Sequence, residues 1–359
     1  MPLREGLRIG YFPASPSFDA PSDRRRFVHY ARQRGLKIEL ADPRKTYDLV
    51  VLNQRADISV WARYRPGEAR IVYEANDSYI SVPSSDPKQA LRGTFKFLTG
   101  QSRRLQLSYR EAVRAMCRRA DAVVCSTDEQ RAQILPLCAN THLVLDFQDA
   151  DVLATKTTHS NGPVLNVVWE GLASSGIPMR MMREILEPMA RRRPVALHLV
   201  TDPVYHRYSN ILGKTHTVDE VRREFGEFAR HVQVHQWSAF ALAAVATAAD
   251  LAIIPIDERN TFAWGKPENK LLLLWRLGVP TLTSATPAYR RAMARAGLDL
   301  ACQSTAEWQE RLALLADSPQ ERTAAAARGT TAANTEYSSG EMMRRWDAVL
   351  ESLWPAGAR

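Results

Sequence analysis

The residue types best suited to chemistry lie in the stretch Lys266-Pro-Glu-Asn-Lys270 and the apolar run that follows it to Pro280. The stretch comes after Leu251-Ala-Ile-Ile-Pro-Ile256, which reads as a buried strand. Pro267 suits the first turn of a helix, and Gly278 and Pro280 suit its end. A helix N-terminus presents free N–H groups and the positive end of the backbone dipole, so it favours phosphate. Lys266, Asn269 and Lys270 would add two mobile cations and an amide donor at that point. The same pattern also describes an ordinary crossover helix with a solvated basic lip, and the residues alone leave both readings open.

The elements around this stretch alternate. Leu7–Phe12, Lys37–Leu40, Tyr47–Leu52, Ala69–Glu74 and Ala122–Cys125 read as strands in the first half. Helices are expected from Asp23 to Gly35, from about Leu105 to Arg119, and after the capping signature Thr127-Asp-Glu-Gln130. A polar stretch at about 149–163 reads as a linker. The alternation then restarts with strands Val164–Trp169, Val195–Val200, Val232–Gln236, Leu251–Ile256 and Thr281–Ser284. The intervening helices are Pro178–Arg192, Ala239–Ala249 and the one opened by Lys266, and a last helix spans about Gly340 to Leu353. Two successive βαβ series imply two doubly wound, Rossmann-like α/β domains facing across a cleft. The expected limits are 1–155, 156–335 and a C-terminal helix at 336–359 that packs back on the first domain.

Composition narrows the function classes. The chain has 359 residues, 45% hydrophobic and 24% charged, which suits a globular protein with two cores. No apolar run reaches the roughly 18–20 residues of a membrane span. The first residues lack the apolar core of a secretory signal, and Cys117, Cys125, Cys138 and Cys302 form no Cys-x-x-Cys pair. These features point to reduced thiols and a cytoplasmic protein. Residues 1–150 hold 24 Lys and Arg against 17 Asp and Glu. The excess gathers at 88–119, from Lys88, Arg92 and Lys96 to Arg118 and Arg119. Such a face attracts an anionic partner, here expected to be the inner face of a membrane or an acidic glycan, or it is a solvated face with no partner. With no recognition helix, RRM or zinc-finger signature, nucleic acid is not expected.

Four passages together resemble the glycosyltransferases of GT-B architecture, group 1 (family 4-like), which use nucleotide-sugars. Arg119-Ala-Asp-Ala-Val-Val-Cys-Ser-Thr-Asp128 is similar to the family's last N-domain strand. Asn166-Val-Val-Trp-Glu-Gly171 is similar to its first C-domain strand and glycine turn, and Ala249–Ile256 to the strand before the donor motif. Lys266–Pro280 is similar to that motif in the form K-P-x-N-K-L. The order and spacing match over about residues 7–353. There are departures. Gly265 and Leu273 stand where many members carry a pair of glutamates, no basic residue follows Gly171 until Arg180, and Pro13–Ser22 replaces a glycine-rich loop.

The resemblance implies sugar transfer from a nucleotide-sugar to a surface-glycan or lipid-linked acceptor, with retention and with neither metal nor resident cofactor. Lys266, Asn269 and Lys270 would hold the donor diphosphate, and Gly171 would let backbone approach the donor. Glu268 is offered for the ribose in place of the missing glutamate. Glu170 would bind sugar hydroxyls or act as a base, or merely cap a helix. Asp202, at a strand end, would meet the nucleobase. Asp257 and Glu258 would contact the transferred sugar, or only balance the lysines. On the acceptor side Asp77 would serve as base, with a helix N-cap as its rival reading, and the loop around Ser15 would touch the acceptor. A sugar-nucleotide epimerase, or a degenerate domain that binds glycan without turnover, remains as an alternative.

Overall fold

The computed structural model describes residues 6–65, 67, 69–77, 79–81, 94, 103–104, 108–206 and 213–354. The chain divides into two compact units. The first comprises 1–147, 265–267 and 339–359, and the second comprises 148–264 and 268–338.

The first unit is built on a parallel sheet in the order β2-β1-β3-β4-β5-β6. Its strands are β1 (Ile9–Phe12), β2 (Ile38–Leu40), β3 (Leu49–Leu52), β4 (Arg70–Ala75), β5 (Ala122–Cys125) and β6 (Thr141–Leu143). β3 and β5 are buried at every residue, as strands covered on both faces must be. The helix expected from Asp23 to Gly35 is two, α1 (Pro21–Arg24) and α2 (Phe27–Gln33). Arg26 breaks it with non-helical backbone, φ −132° and ψ −123°. Its guanidinium instead turns inward, 2.8 Å from Glu74 and 3.0 Å from Asp146. A short helix α3 (Ile58–Trp61) follows, and then α4 (Tyr109–Arg119), capped by Ser108. The expected start at Leu105 lies outside the described residues, as do Lys88, Arg92 and Lys96. α5 (Asp128–Ile134) opens with the capping box expected at Thr127 and Gln130.

The second unit repeats the plan in the order β11-β8-β7-β12-β13-β14, again parallel throughout. It contains β7 (Leu165–Glu170), α6 (Met179–Ala190), β8 (Val195–Thr201), α7 (Thr217–Phe225), β11 (Val232–Gln236) and α8 (Ala239–Ala248). A two-stranded hairpin of β9 (Val204–His206) and β10 (Lys214–His216) precedes α7. The unit continues through β12 (Leu251–Ile254), α9 (Thr261–Trp264), α10 (Asn269–Arg276) and β13 (Thr281–Ser284). It closes with α11 (Pro287–Arg295), β14 (Ala301–Cys302), α12 (Thr305–Asp317) and α13 (Pro319–Thr335). The chain runs outward from β7 to β8 and β11, then returns to β12. This makes β7 and β12 the switch point, at whose carboxyl ends open α/β sheets bind ligands.

Two boundaries differ from expectation, both at prolines. β12 stops at Ile254 because Pro255 has no N–H for the ladder. The Ile256 N–H bonds the Ser284 hydroxyl instead, at 2.8 Å. α10 starts at Asn269 with Glu268 at the N-cap, so Pro267 precedes the helix rather than filling its first turn. Gly278, with φ +72°, ends it as expected.

The polar stretch at 149–163 is fastened to the second unit rather than free. The Lys156 N–H donates to the Leu277 carbonyl at 2.8 Å. Its ammonium donates to the carbonyls of Thr247 and Ala249 at 3.1 and 2.8 Å, at the negative end of α8. Arg322, buried in α13, donates to the Ser160 carbonyl and the Asn161 side chain, and Arg193 to the Gly162 carbonyl. The last helix, α14 (Ser339–Ser352), belongs to the first unit. Its fully buried Trp346 packs 5.3 Å from the ring of Phe27, and Tyr30 donates to Asp347 at 2.8 Å.

Candidate functional site

The carboxyl end of β7 and the first turn of α10 meet at Lys270. Its ammonium donates to the Glu170 carbonyl at 2.9 Å and lies 5.0 Å from the centre of the Trp169 ring. Trp169 is 3% exposed, so its indole is a fixed platform, and an ammonium over an indole face is held electrostatically. Gly171 completes the arrangement. A Cβ there would stand 2.4 Å from the Lys270 nitrogen and 2.8 Å from the Trp169 ring. The glycine is needed because the lysine and the indole fill its side-chain space. The sequence reading had ascribed it to close approach of a ligand.

The neighbouring strand ends add polar groups. The Trp237 indole N–H, just past β11, donates to the Glu170 carboxylate at 3.0 Å and so fixes its direction. Asp202 follows β8, its carbonyl accepting from the Thr217 hydroxyl at 2.6 Å. Glu170, Asp202 and Trp237 thus stand at the ends of three adjacent strands. Glu268, offered for a ribose, is 5% exposed at the N-cap of α10. Burial raises its pKa above the ordinary carboxylate range, against the opposing pull of its own backbone and of Arg291 and Arg295, and it bonds Tyr337. The structure therefore turns this carboxyl into the fold. Lys266 falls in the short segment grouped with the first unit.

A cavity of about 440 Å³ opens at the ends of β12, β13 and β14, between the starts of α6 and α12. This is the size range of small-molecule sites. Asp257 and Glu258 line it, together with Arg180, Arg259 and Trp264, which sequence reasoning did not single out as site residues. Arg259 is bidentate on Asp257, its Nε and Nη2 donating at 2.9 and 2.7 Å, which holds the carboxyl below its usual pKa. The only advance signal for Arg259 was its place in Asp257-Glu-Arg259 after the strand. Trp169 and Trp237 lie 101 and 33 residues from Lys270, and no local pattern links them to it.

In the first unit, Asp77 follows β4. Its carboxylate accepts from the Gln54 side-chain Nε2 at 2.5 Å, and its backbone N–H donates to the Gln54 side-chain Oε1 at 2.8 Å. That reciprocal pair orients the Asp77 carboxylate. Ser15 lies in a loop gathered by Asp23, whose carboxylate accepts from the N–H groups of Ala14 and Ser15. Phe18 there adopts φ +61°, a sparsely populated conformation for a bulky residue. Behind the loop, burial pushes the Glu74 carboxyl up to about 7 despite Arg26, because Asp23 and Asp146 oppose its charge.

No protein-family profile and no curated sequence matches the chain. Solved structures do. The Anabaena Alr3699/HepE structure, in complex with UDP and glucose, superposes with a TM-score of 0.62 over 96% of this chain and 100% of its own, at 13% identity. WaaG, a glycosyltransferase involved in lipopolysaccharide biosynthesis, superposes with a TM-score of 0.54 over 95% and 98%, at 14% identity. TarM superposes at 0.59 with 8% identity, covering 84% of this chain, which spans only 54% of TarM. These likenesses define the class by its fold: the chain has the GT-B fold, two Rossmann-like units each with a six-stranded parallel sheet.

Proposed function

We propose that the protein transfers a glycosyl group from a nucleotide-sugar to a glycan or lipid-linked acceptor, with retention and without a resident metal or cofactor. The observation that carries this reading is the Lys270 ammonium, set at a helix N-terminus beside the switch point of the second sheet. As the glycosidic bond breaks, negative charge grows on the leaving diphosphate. A preorganised ammonium and helix N-terminal N–H groups stabilise that charge with little reorganisation. In this reading Lys270 exchanges the Glu170 carbonyl for a phosphate oxygen while Trp169 holds its stem, and Asn269 adds its N–H groups. Glu170, directed by Trp237, meets a sugar hydroxyl. Asp77 takes the proton of the acceptor hydroxyl, its carboxylate oriented by Gln54.

The named relatives support the reading by what they hold: UDP and glucose in HepE, and UDP with an α-GlcNAc-glycerol in a TarM variant. Among the described residues no helix is long and apolar enough to cross a membrane. Contact with an anionic membrane through 88–119 is part of the proposal, and much of that segment lies outside the described residues. Thermal shift against UDP-, GDP-, dTDP-, ADP- and CMP-linked ligands tests the reading. Stabilisation by one base, lost in Lys270→Ala, is the expected result, and stabilisation by none would sink it.

A further inference from the structure

Gln148, the first residue of the second unit, is 1% exposed, and its side-chain amide grips α10 at both ends. Its Nε2 donates to the Asn269 carbonyl at 2.6 Å, and its Oε1 accepts from the Arg276 guanidinium. Asn269 and Arg276 are the first and last residues of the helix, two turns apart on one face. A carbonyl only accepts and a guanidinium only donates, so one side chain serves both only by carrying a donor and an acceptor side by side, as an amide does. The far end of α10 is pinned through its backbone. The Thr155 and Thr330 hydroxyls donate to the carbonyls of Arg276 and Trp275 at 3.0 and 2.7 Å, and the Lys156 N–H to that of Leu277 at 2.8 Å. The Arg276 guanidinium also reaches the Ala333 and Tyr337 carbonyls at 2.9 and 2.6 Å, in and just past the last turn of α13, its negative end. At the first turn the N-cap Glu268 makes no capping bond, its carboxyl bonding Tyr337 instead, and Gln148 takes hold of the next residue.

We infer that Gln148 is a positioning residue for Lys270: by holding the Asn269 carbonyl it fixes the turn of α10 from which the next residue reaches the donor diphosphate. The inference rests on the donor reading above and adds the group that aims its lysine. Lys270 follows Asn269 directly, and its ammonium meets the Glu170 carbonyl at 2.9 Å at the end of β7. A first turn released at Asn269, while the far end stays pinned by Thr155, Lys156 and Thr330, moves where the lysine departs from it. Exchanging the amide for a carboxylate separates the two grips. Gln148→Glu keeps an acceptor, now charged, for Arg276. It also sets an oxygen against the Asn269 carbonyl in place of the Nε2 donor, so the helix stays docked while its first turn is pushed away.

The test uses the full chain, with UDP, GDP, dTDP and ADP as probes in isothermal titration and a thermal melt of each variant. For the base that binds, Gln148→Glu is expected to lose about tenfold in affinity while the thermal midpoint stays within a few degrees of the wild type. Gln148→Met, which fills the same space without the amide, is expected to lose affinity likewise and serves if the buried carboxylate prevents folding. In a Lys270→Ala background the same substitutions should cost about threefold or less, because the group they aim is gone. A purely structural amide would lower the midpoint and leave the affinity of the folded protein unchanged, and that result overturns the inference. So does a full tenfold loss that persists without Lys270. Failure of all four probes to bind the wild type sinks the donor reading and this inference with it.

Discussion

Replacing Gly171 by alanine isolates the placement of one ammonium. The backbone at Gly171 is not in the left-handed region, so alanine brings no conformational strain there. The whole effect comes from a methyl set 2.4 Å from the Lys270 nitrogen and 2.8 Å from the Trp169 ring. The lysine tip is flexible and will leave. The indole is buried and must shift, at a cost of about 1–3 kcal/mol for overpacking. Expelling the ammonium forfeits a charge-assisted contact to the diphosphate worth about 1.5–3 kcal/mol. Nucleotide affinity should therefore fall roughly ten- to hundredfold, with a thermal midpoint lowered by only a few degrees. A double-mutant cycle with Lys270→Ala by isothermal titration is the decisive assay. Once the lysine is gone, Gly171→Ala should cost little further affinity. Additive losses in the cycle, or an unchanged affinity in the single variant, would refute the claim that the glycine exists to seat the lysine.

Two further outcomes follow from the fold and its buried charges. Gly278→Ala combines φ +72° with a Cβ only 2.2 Å from the Lys156 carbonyl oxygen, so it should destabilise the second unit by about 3 kcal/mol or more; chemical denaturation checks this, and an effect under about 1 kcal/mol would show that the 149–163 segment yields easily. Burial raises Glu74 from 4.5 to about 7, so its neutral form favours the fold at acid pH and that contribution is lost as pH rises through about 7; the thermal midpoint should fall between pH 5 and 8 more steeply in the wild type than in Glu74→Gln, and equal slopes would contradict the assignment.

The strand sequence was legible because buried parallel strands write continuous apolar runs. β5 and β13, buried throughout, have the limits their residues predict, and so does β11, a partly exposed edge strand legible from its alternation instead. What escaped was short or set by distant partners. β6, β9, β10 and β14 have two or three residues each, too few for a periodic signal. The break between α1 and α2 is dictated by Glu74 and Asp146, which lie 48 and 120 residues from Arg26. The segment 149–163 looked like a linker because its own residues are polar, yet Arg193 and Arg322 anchor it from elsewhere. In the site, the helix terminus and Lys270 could be read from Lys266–Pro280. The platform under the lysine and the tether on Glu170 are tertiary contacts with no local signature.

The central claim is that Lys270 stabilises the charge of a departing nucleoside diphosphate. Release of nucleoside diphosphate from a panel of sugar-nucleotides, measured with and without a mixture of glycan and lipid-linked acceptors, tests it most directly. The account predicts acceptor-dependent release from one sugar-nucleotide by the wild type. It also predicts a loss of at least a hundredfold in Lys270→Ala, with the fold intact by circular dichroism. Release undiminished in Lys270→Ala would contradict the account. So would interconversion of the sugar without any acceptor, which would mark an epimerase, or binding of the nucleotide with no turnover at all.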